Sequence, residues 1–344
     1  MSTALPSLGF AGIGLMGLPM CRRLLAAGYP LTVWNRSPEK CAALVAAGAR
    51  LASSPAELCH GSDMVLLCLA DTAVVREVVF GEHGIAQGGR SGQLLIDFSS
   101  LEPTATREMA AELAVLCGMA WLDAPVSGGT PGAEAGTLAI MVGGEAADLE
   151  RARPVLQVLG QRVTHMGAVG AGQVTKACNQ MIVACNALAI AEVVALAEQS
   201  GVDATLIAEA LAGGFADSKP LQILAPQMAE SRFEPIKWHV RTLLKDLDGA
   251  VKFSREQGSA TPLSGLAAQL MRLHGSQGYL QKDPATLVEL YRNKGWLPRF
   301  GAAAAPVAAA DRLAVPGGPA GSPAGSRSHG LQGMPAVRRF LRLR

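Results

Sequence analysis

From residue 8 to residue 165 the chain alternates short apolar runs with stretches of helical period, and no other feature restricts its fold so strongly. Residues 9–13, 31–35, 64–69, 94–98 and 120–122 are brief, apolar and bounded by turn formers, which predicts strands. Residues 15–27, 38–47, 72–80 and 103–117 carry apolar side chains at helical spacing, and Pro38 and Pro103 suit first-turn positions. Strands alternating with helices form a parallel sheet covered on both faces, a doubly wound α/β domain. Later strands are expected at 138–142 and 162–165.

The pattern changes at Gly167, Gly170 and Gly172. Residues 173–200 contain neither Gly nor Pro and are rich in Ala, so they predict one long interdomain helix, and the segments up to residue 291 also read as helical. The expected architecture is an N-terminal Rossmann domain over 1–167 and an all-α domain for substrate and subunit contacts over 168–296. Over 297–344 Ala, Pro, Gly and Ser dominate, and such a segment buries too little apolar surface to offset its chain entropy, so a disordered tail is expected.

Bulk properties exclude several classes. A net charge of +2 over 344 residues gives no electrostatic footing for nucleic acid or an anionic membrane. The apolar start at 8–18 is interrupted by four glycines with no Lys or Arg before it, which suits a strand and turn better than a secretion signal. The run 182–197 holds Asn186 and Glu192 and is short for a bilayer span, so a buried helix is expected. Seven cysteines without a C-x-x-C pair fit small buried thiols in a reducing cytoplasm. The six histidines lack ligand-like spacing, and no metal is expected.

Gly12-Ile13-Gly14-Leu15-Met16-Gly17 fits G-x-G-x-x-G, with a predicted strand before it and a helix after it. Gly12 allows the tight turn, Gly14 lets backbone approach a pyrophosphate, and Gly17 lets helix and strand pack closely. Free N–H groups and the helix dipole then meet the phosphate charge. The next strand ends in Asn35-Arg36-Ser37, without the Asp or Glu that would hold a ribose diol. Arg36 and Ser37 suit a 2′-phosphate instead, so NADP is the expected cofactor, with NAD possible.

Two further motifs are more specific. Asp123-Ala124-Pro125-Val126-Ser127-Gly128-Gly129 follows a strand, and its Ser-Gly-Gly turn offers a hydroxyl and uncrowded N–H groups suited to a carboxylate. Gly167-Ala168-Val169-Gly170-Ala171-Gly172-Gln173-Val174-Thr175-Lys176-Ala177-Cys178-Asn179-Gln180 leads into the long helix and puts Lys176 and Asn179 three residues apart on one face.

These motifs, with Ser99-Ser100 and Lys245-Asp246 in the same order, resemble the β-hydroxyacid dehydrogenase family over residues 8–291. The resemblance implies that Ser127, Gly128 and Gly129 bind a substrate carboxylate, that Lys176 is the catalytic acid and base, and that Asn179 helps hold substrate. Ser100 is implied on the nicotinamide side, and Lys245 and Asp246 close over cofactor and substrate. Asn35-Arg36-Ser37 and Gly170 to Gln173 look more like the semialdehyde-reducing branch (2-hydroxy-3-oxopropionate, or tartronate semialdehyde, reductase) than the 3-hydroxyisobutyrate branch. Residues 213–218 and 236–239 are expected to shape the pocket opposite the carboxylate.

A lysine beside the substrate oxygen donates a proton in reduction and accepts one in oxidation, and burial beside Lys245 would lower its pKa toward working pH. A non-catalytic nucleotide-binding module and an imine reductase share the fold, and Lys176 argues against both. A 6-phosphogluconate dehydrogenase needs more phosphate-binding residues and a longer helical domain. The family also implies a homodimer or homotetramer.

Overall fold

The computed structural model describes residues 5–292, so the tail expected over 297–344 lies outside the described residues. The strands are β1 (Leu8–Ala11), β2 (Leu31–Trp34), β3 (Arg50–Leu51), β4 (Met64–Leu67), β5 (Leu94–Asp97), β6 (Ala120–Asp123), β7 (Val126–Ser127), β8 (Leu138–Gly143) and β9 (Gly160–Gly167). They form one sheet in the order β3-β2-β1-β4-β5-β6-β8-β7, with β9 paired to β8. The first six strands are parallel in the doubly wound order, which reverses direction between β1 and β4.

Helices α1 (Gly17–Ala26), α2 (Ala42–Ala46), α3 (Pro55–His60), α4 (Thr72–Phe80), α5 (Ile85–Gly88), α6 (Pro103–Cys117), α7 (Gly129–Ala135) and α8 (Ala146–Leu159) cover the sheet. Strands β1, β4 and β5 are buried throughout, as their apolar runs require, and the carboxyl of Asp97 at the end of β5 is buried with them. Alternate residues feed opposite layers. Leu66 and Ile96 join Phe10, Met20 and Leu24 on one side, while Leu67 and Leu95 join Val75, Met109 and Leu113 on the other.

The parallel sheet expected from the sequence is present, with an antiparallel departure at its far edge. Strand β8 runs antiparallel to β6 and β7, because Gly128 (φ 135°) and Gly129 (φ 61°) reverse the chain after Ser127. The two-residue strands β3 and β7 are too brief to show a period, and α7, rich in Gly, reads as a turn.

Beyond residue 170 the described chain is helical, with α9 (Ala171–Gln199), α10 (Ile207–Leu211), α11 (Lys219–Ala229), α12 (Val240–Glu256), α13 (Pro262–His274) and α14 (Glu289–Arg292). At 29 residues α9 is long and apolar enough to cross a bilayer, so the length argument against a span does not hold. Packing answers the question instead. Ala184, Ala187, Leu188, Ala191, Val194 and Ala195 of α9 are buried against Leu221, Leu224, Met228, Leu243, Leu247 and Met271. Small residues along α9 let these neighbours pack closely around it.

All seven cysteines are free, and Cys21, Cys41 and Cys59 are buried. Cys178 is exposed, contrary to the expectation of uniformly buried thiols, because it lies on the outward face of α9.

Candidate functional site

The carboxyl ends of the parallel strands line a crevice where the strand order reverses. At its β1 edge, Gly12 has φ 103°, and a Cβ there would sit 2.3 Å from the Cys68 carbonyl oxygen. A Cβ on Gly17 would sit 2.0 Å from the Gly12 oxygen, so this glycine sets how closely α1 approaches β1. Gly14 differs, since its Cβ direction meets nothing within 4 Å. Helix α1 starts with no side-chain cap and no acidic residue in its first turn. Open space beside Gly14 and unclaimed N–H groups at α1 fit a pyrophosphate.

Asn35 is already engaged. Its side-chain oxygen accepts from the Ile13 N–H at 2.9 Å, and its amide donates to the Ser37 carbonyl at 3.0 Å. It therefore ties the glycine loop to the 35–37 turn. Arg36 is exposed and pairs with no acid among the described residues.

A second helix N-terminus lies across the sheet. The Asp123 carboxylate, at the end of β6, accepts from the Gly170 N–H at 2.7 Å and the Gln173 N–H at 2.8 Å. The Gln173 side chain reaches back to the strand ends, accepting from Leu101 N–H at 3.0 Å and donating to the Ser99 carbonyl at 2.8 Å. Ser100 lies between those two attachments. Asp97, register partner of Asp123, has its carboxyl pushed up to about 7 by burial.

Lys176 stands one turn further along α9, half-buried. Burial lowers its pKa from the ordinary lysine value, the Asp246 carboxylate opposes that shift, and Lys245 adds a smaller push downward. Asp246 also joins Lys245 at 3.1 Å and accepts from the Gln180 side chain at 2.7 Å, while Asn179 donates to Gln180 at 2.8 Å. Lys245 donates to the Ala70 carbonyl at 3.2 Å, which bridges α12 to the end of β4.

A cavity of about 910 Å³ gathers Ser100, Lys176, Lys245 and Asp246 together with Asp71, Gln173, Gln180 and Arg241. Glycines 12, 14 and 17, the 35–37 turn, Ser127, Gly128, Gly129 and Asn179 lie outside its lining. Ser127 pairs with β8, and Gly128 and Gly129 open α7. Residues 213–218 and 236–239 do not line it either. Phe215 is fully exposed, Trp238 packs on the helical core, and the Lys237 N–H donates to Asp283. Arg241, Leu244 and Leu280 of the helical half line the cavity. Sequence reasoning missed Asp123, Gln173 and Gln180 as tethers. The signal available was their place inside the two quoted motifs, where a buried carboxyl and amides need partners.

Comparison with known proteins adds to this geometry. Residues 7–167 match a model described as the NAD binding domain of 6-phosphogluconate dehydrogenase. Residues 170–291 match one described as NAD-binding of NADP-dependent 3-hydroxyisobutyrate dehydrogenase. The chain is 36% identical to 2-hydroxy-3-oxopropionate reductase of Escherichia coli over 282 residues, covering 82% of this chain and 96% of that one. It is also 36% identical to NAD-dependent L-serine dehydrogenase of Pseudomonas aeruginosa over 290 residues, covering 83% and 97%. Among solved structures, Mycobacterium tuberculosis 3-hydroxyisobutyrate dehydrogenase with L-serine superposes with a TM-score of 0.77 at 31% identity, covering 84% of this chain and all of that one.

Proposed function

The chain belongs to the β-hydroxyacid dehydrogenase family that includes 3-hydroxyisobutyrate dehydrogenase, and from that premise we propose that Lys176 passes the proton in its reaction. The protein is an NAD(P)-dependent oxidoreductase of small hydroxy acids. One observation carries the reading of Lys176: its half-buried side chain lines the cleft with Ser100, within the electrostatic reach of Asp246 and Lys245.

When bound, the nicotinamide exchanges a hydride with the substrate carbon. Gly12, Gly14 and Gly17, with the intervening Ile13, Leu15 and Met16, would hold the pyrophosphate at the start of α1. Arg36 and Ser37 would take a 2′-phosphate, so NADP is preferred over NAD. Ser100, Lys245 and Asp246 flank the reacting end. Ser127, Gly128 and Gly129 would take the substrate carboxylate, and Asn179 would orient it. Lys176 as ammonium gives its proton to the carbonyl oxygen in reduction, and as neutral amine takes one from the hydroxyl in oxidation. A lowered pKa keeps both forms within reach of working pH.

The preferred substrate class is a short semialdehyde acid such as 2-hydroxy-3-oxopropionate, supported by the 36% identity to the reductase of that compound. The relation to 3-hydroxyisobutyrate dehydrogenase supports a second reading, a branched 3-hydroxy acid. Steady-state kinetics on a panel of hydroxy acids and semialdehydes with NADPH and NADH test both. The account expects the highest kcat/KM for a short semialdehyde with NADPH, and inactivity across the whole panel would contradict it.

We also place the domain division at residues 167–168 and take the protein to be a cytoplasmic homodimer or homotetramer without nucleic-acid or membrane partners. Free thiols support a reducing compartment. Exposed Ile182, Val193 and Leu196 on α9, with Leu263, Leu266 and Leu273 on α13, support subunit contact. Light scattering should give a mass of two or more chains.

A further inference from the structure

The first turn of α9 is fastened to the sheet at two strand ends, and the fastening ends one turn short of Lys176. A carboxyl buried as completely as Asp123 is costly unless its oxygens are satisfied. Here they accept N–H groups that a helix start leaves without intrahelical partners, so each side meets the other's unmet need. Burial raises the Asp123 pKa and the N–H groups of Gly170 and Gln173 hold it down.

The fit leaves no slack. A Cβ at Gly143 would lie 2.5 Å from Asp123 Oδ1, and one at Gly172 would lie 2.8 Å from Oδ2 and 2.4 Å from the Met141 carbonyl. Gln173 then carries the constraint onward to the Ser99 carbonyl and the Leu101 N–H on either side of Ser100. The Ser99 hydroxyl in turn accepts from Leu69 N–H, which extends the chain of bonds to the end of β4.

We propose that Asp123 and Gln173 are positioning residues: Asp123 locks the start of α9 to β6, Gln173 locks the Ser99–Leu101 segment to the same turn, and together they hold Lys176 at a fixed distance from Ser100. This rests on the reading of Lys176 as the proton-transfer residue. Asp123 lies outside the cavity lining, and Gln173 borders the cavity with its amide engaged by Ser99 and Leu101. Their effect is on geometry, where a displacement of about 1 Å is enough to cost on the order of a hundredfold in rate.

The test uses Asp123→Asn, Gln173→Met and Lys176→Ala in the full chain. Asparagine keeps the shape of Asp123 but turns an NH2 toward a helix N–H, so one of the two bonds is lost. Asp123→Asn should lower kcat by about thirtyfold or more and Gln173→Met by about tenfold, each with the NADPH Kd within about threefold of the parent. In both, the pH limb of kcat assigned to Lys176 should move, because the amine changes its distance from Asp246 and Lys245. Hydrogen exchange over residues 170–176 should quicken in Asp123→Asn. A residue that only stabilised the fold would lower Tm and leave the pH limb in place.

Folded variants with kcat within about threefold of the parent and an unmoved limb, beside an inactive Lys176→Ala, would overturn the proposal. If Asp123→Asn fails to fold, Gln173→Met, which keeps the side-chain length and introduces no charge change, decides by the same criteria. Near-normal turnover in Lys176→Ala would instead remove the reading of the lysine, and unchanged exchange in Asp123→Asn would separately refute the anchoring.

Discussion

Helices α1 and α9 both begin at the carboxyl edge of one sheet, both follow a glycine-rich turn, and they treat their free N–H groups in opposite ways. Helix α1 starts uncapped, with open space beside Gly14. Helix α9 starts against the Asp123 carboxylate, which takes the Gly170 and Gln173 N–H groups. An unfilled N-terminus attracts a mobile anion, whereas a filled one becomes a rigid mount. The same elementary feature therefore serves as a binding site at one place and as an anchor for a reactive lysine at the other.

Close packing by glycine is common to both helices, and breaking it should have the largest effect. Gly17→Ala and Gly172→Ala each push a methyl to within 2.0 Å and 2.4 Å of backbone oxygens. Each should destabilise the fold by several kcal/mol, at the upper end for single substitutions, and give little soluble protein or a sharply lowered Tm. Equal Tm in parent and variants would contradict the packing argument.

Gly14→Ala separates binding from folding. Its methyl meets nothing in the protein, so Tm without cofactor should stay unchanged while NADPH affinity falls on the order of a hundredfold, measured by nucleotide fluorescence titration. No counterpart exists at α9, where the space is filled. Arg36→Ala should be milder still, raising the KM for NADPH by about tenfold and leaving that for NADH nearly constant. A parallel loss with both nucleotides would remove Arg36 from the 2′-phosphate.

The smallest expected effect concerns Asp97, next to the filled N-terminus. Its folded-state pKa is raised to about 7 from an ordinary carboxylate value, so the folded protein holds a proton that the unfolded chain releases. Stability is then lost as pH rises from 4 toward 7, across the interval between the two values. Asp97→Asn keeps the oxygen that accepts from Ser99 N–H and removes the titration. It should raise Tm by a few degrees at pH 8 and change it little at pH 4, as differential scanning calorimetry would show.

Much of this contrast is legible in the residues. The runs 64–67 and 94–96 are apolar throughout because both faces of those strands are buried, and the loop from Gly12 to Gly17 joins the end of β1 to the start of α1. The reversal of β8 is not legible, because it depends on two glycines whose positive φ only the surrounding sheet selects. The tethers of α9 are hidden for a related reason. Asp123 and Gln173 are about fifty residues apart, and only the folded strand order brings them together. The same holds for Asp246, whose carboxylate opposes the lowering of the Lys176 pKa from a different helix. Residues 213–218 and 236–239 carry no periodic signal of where they face, and the cavity is lined instead by residues such as Arg241 and Leu280.

The pH dependence of kcat in both directions, for the parent and for Lys176→Ala, tests the account most directly. In the parent, reduction should slow as pH rises through the Lys176 pKa, because the ammonium is lost, and oxidation should quicken through the same pH, which lies below the ordinary lysine value. Lys176→Ala should bind NADPH normally, lose about three orders of magnitude in kcat and lose that limb in both directions. Turnover within a few-fold of the parent, with the limb intact, would contradict the assignment of Lys176 as the proton donor and acceptor.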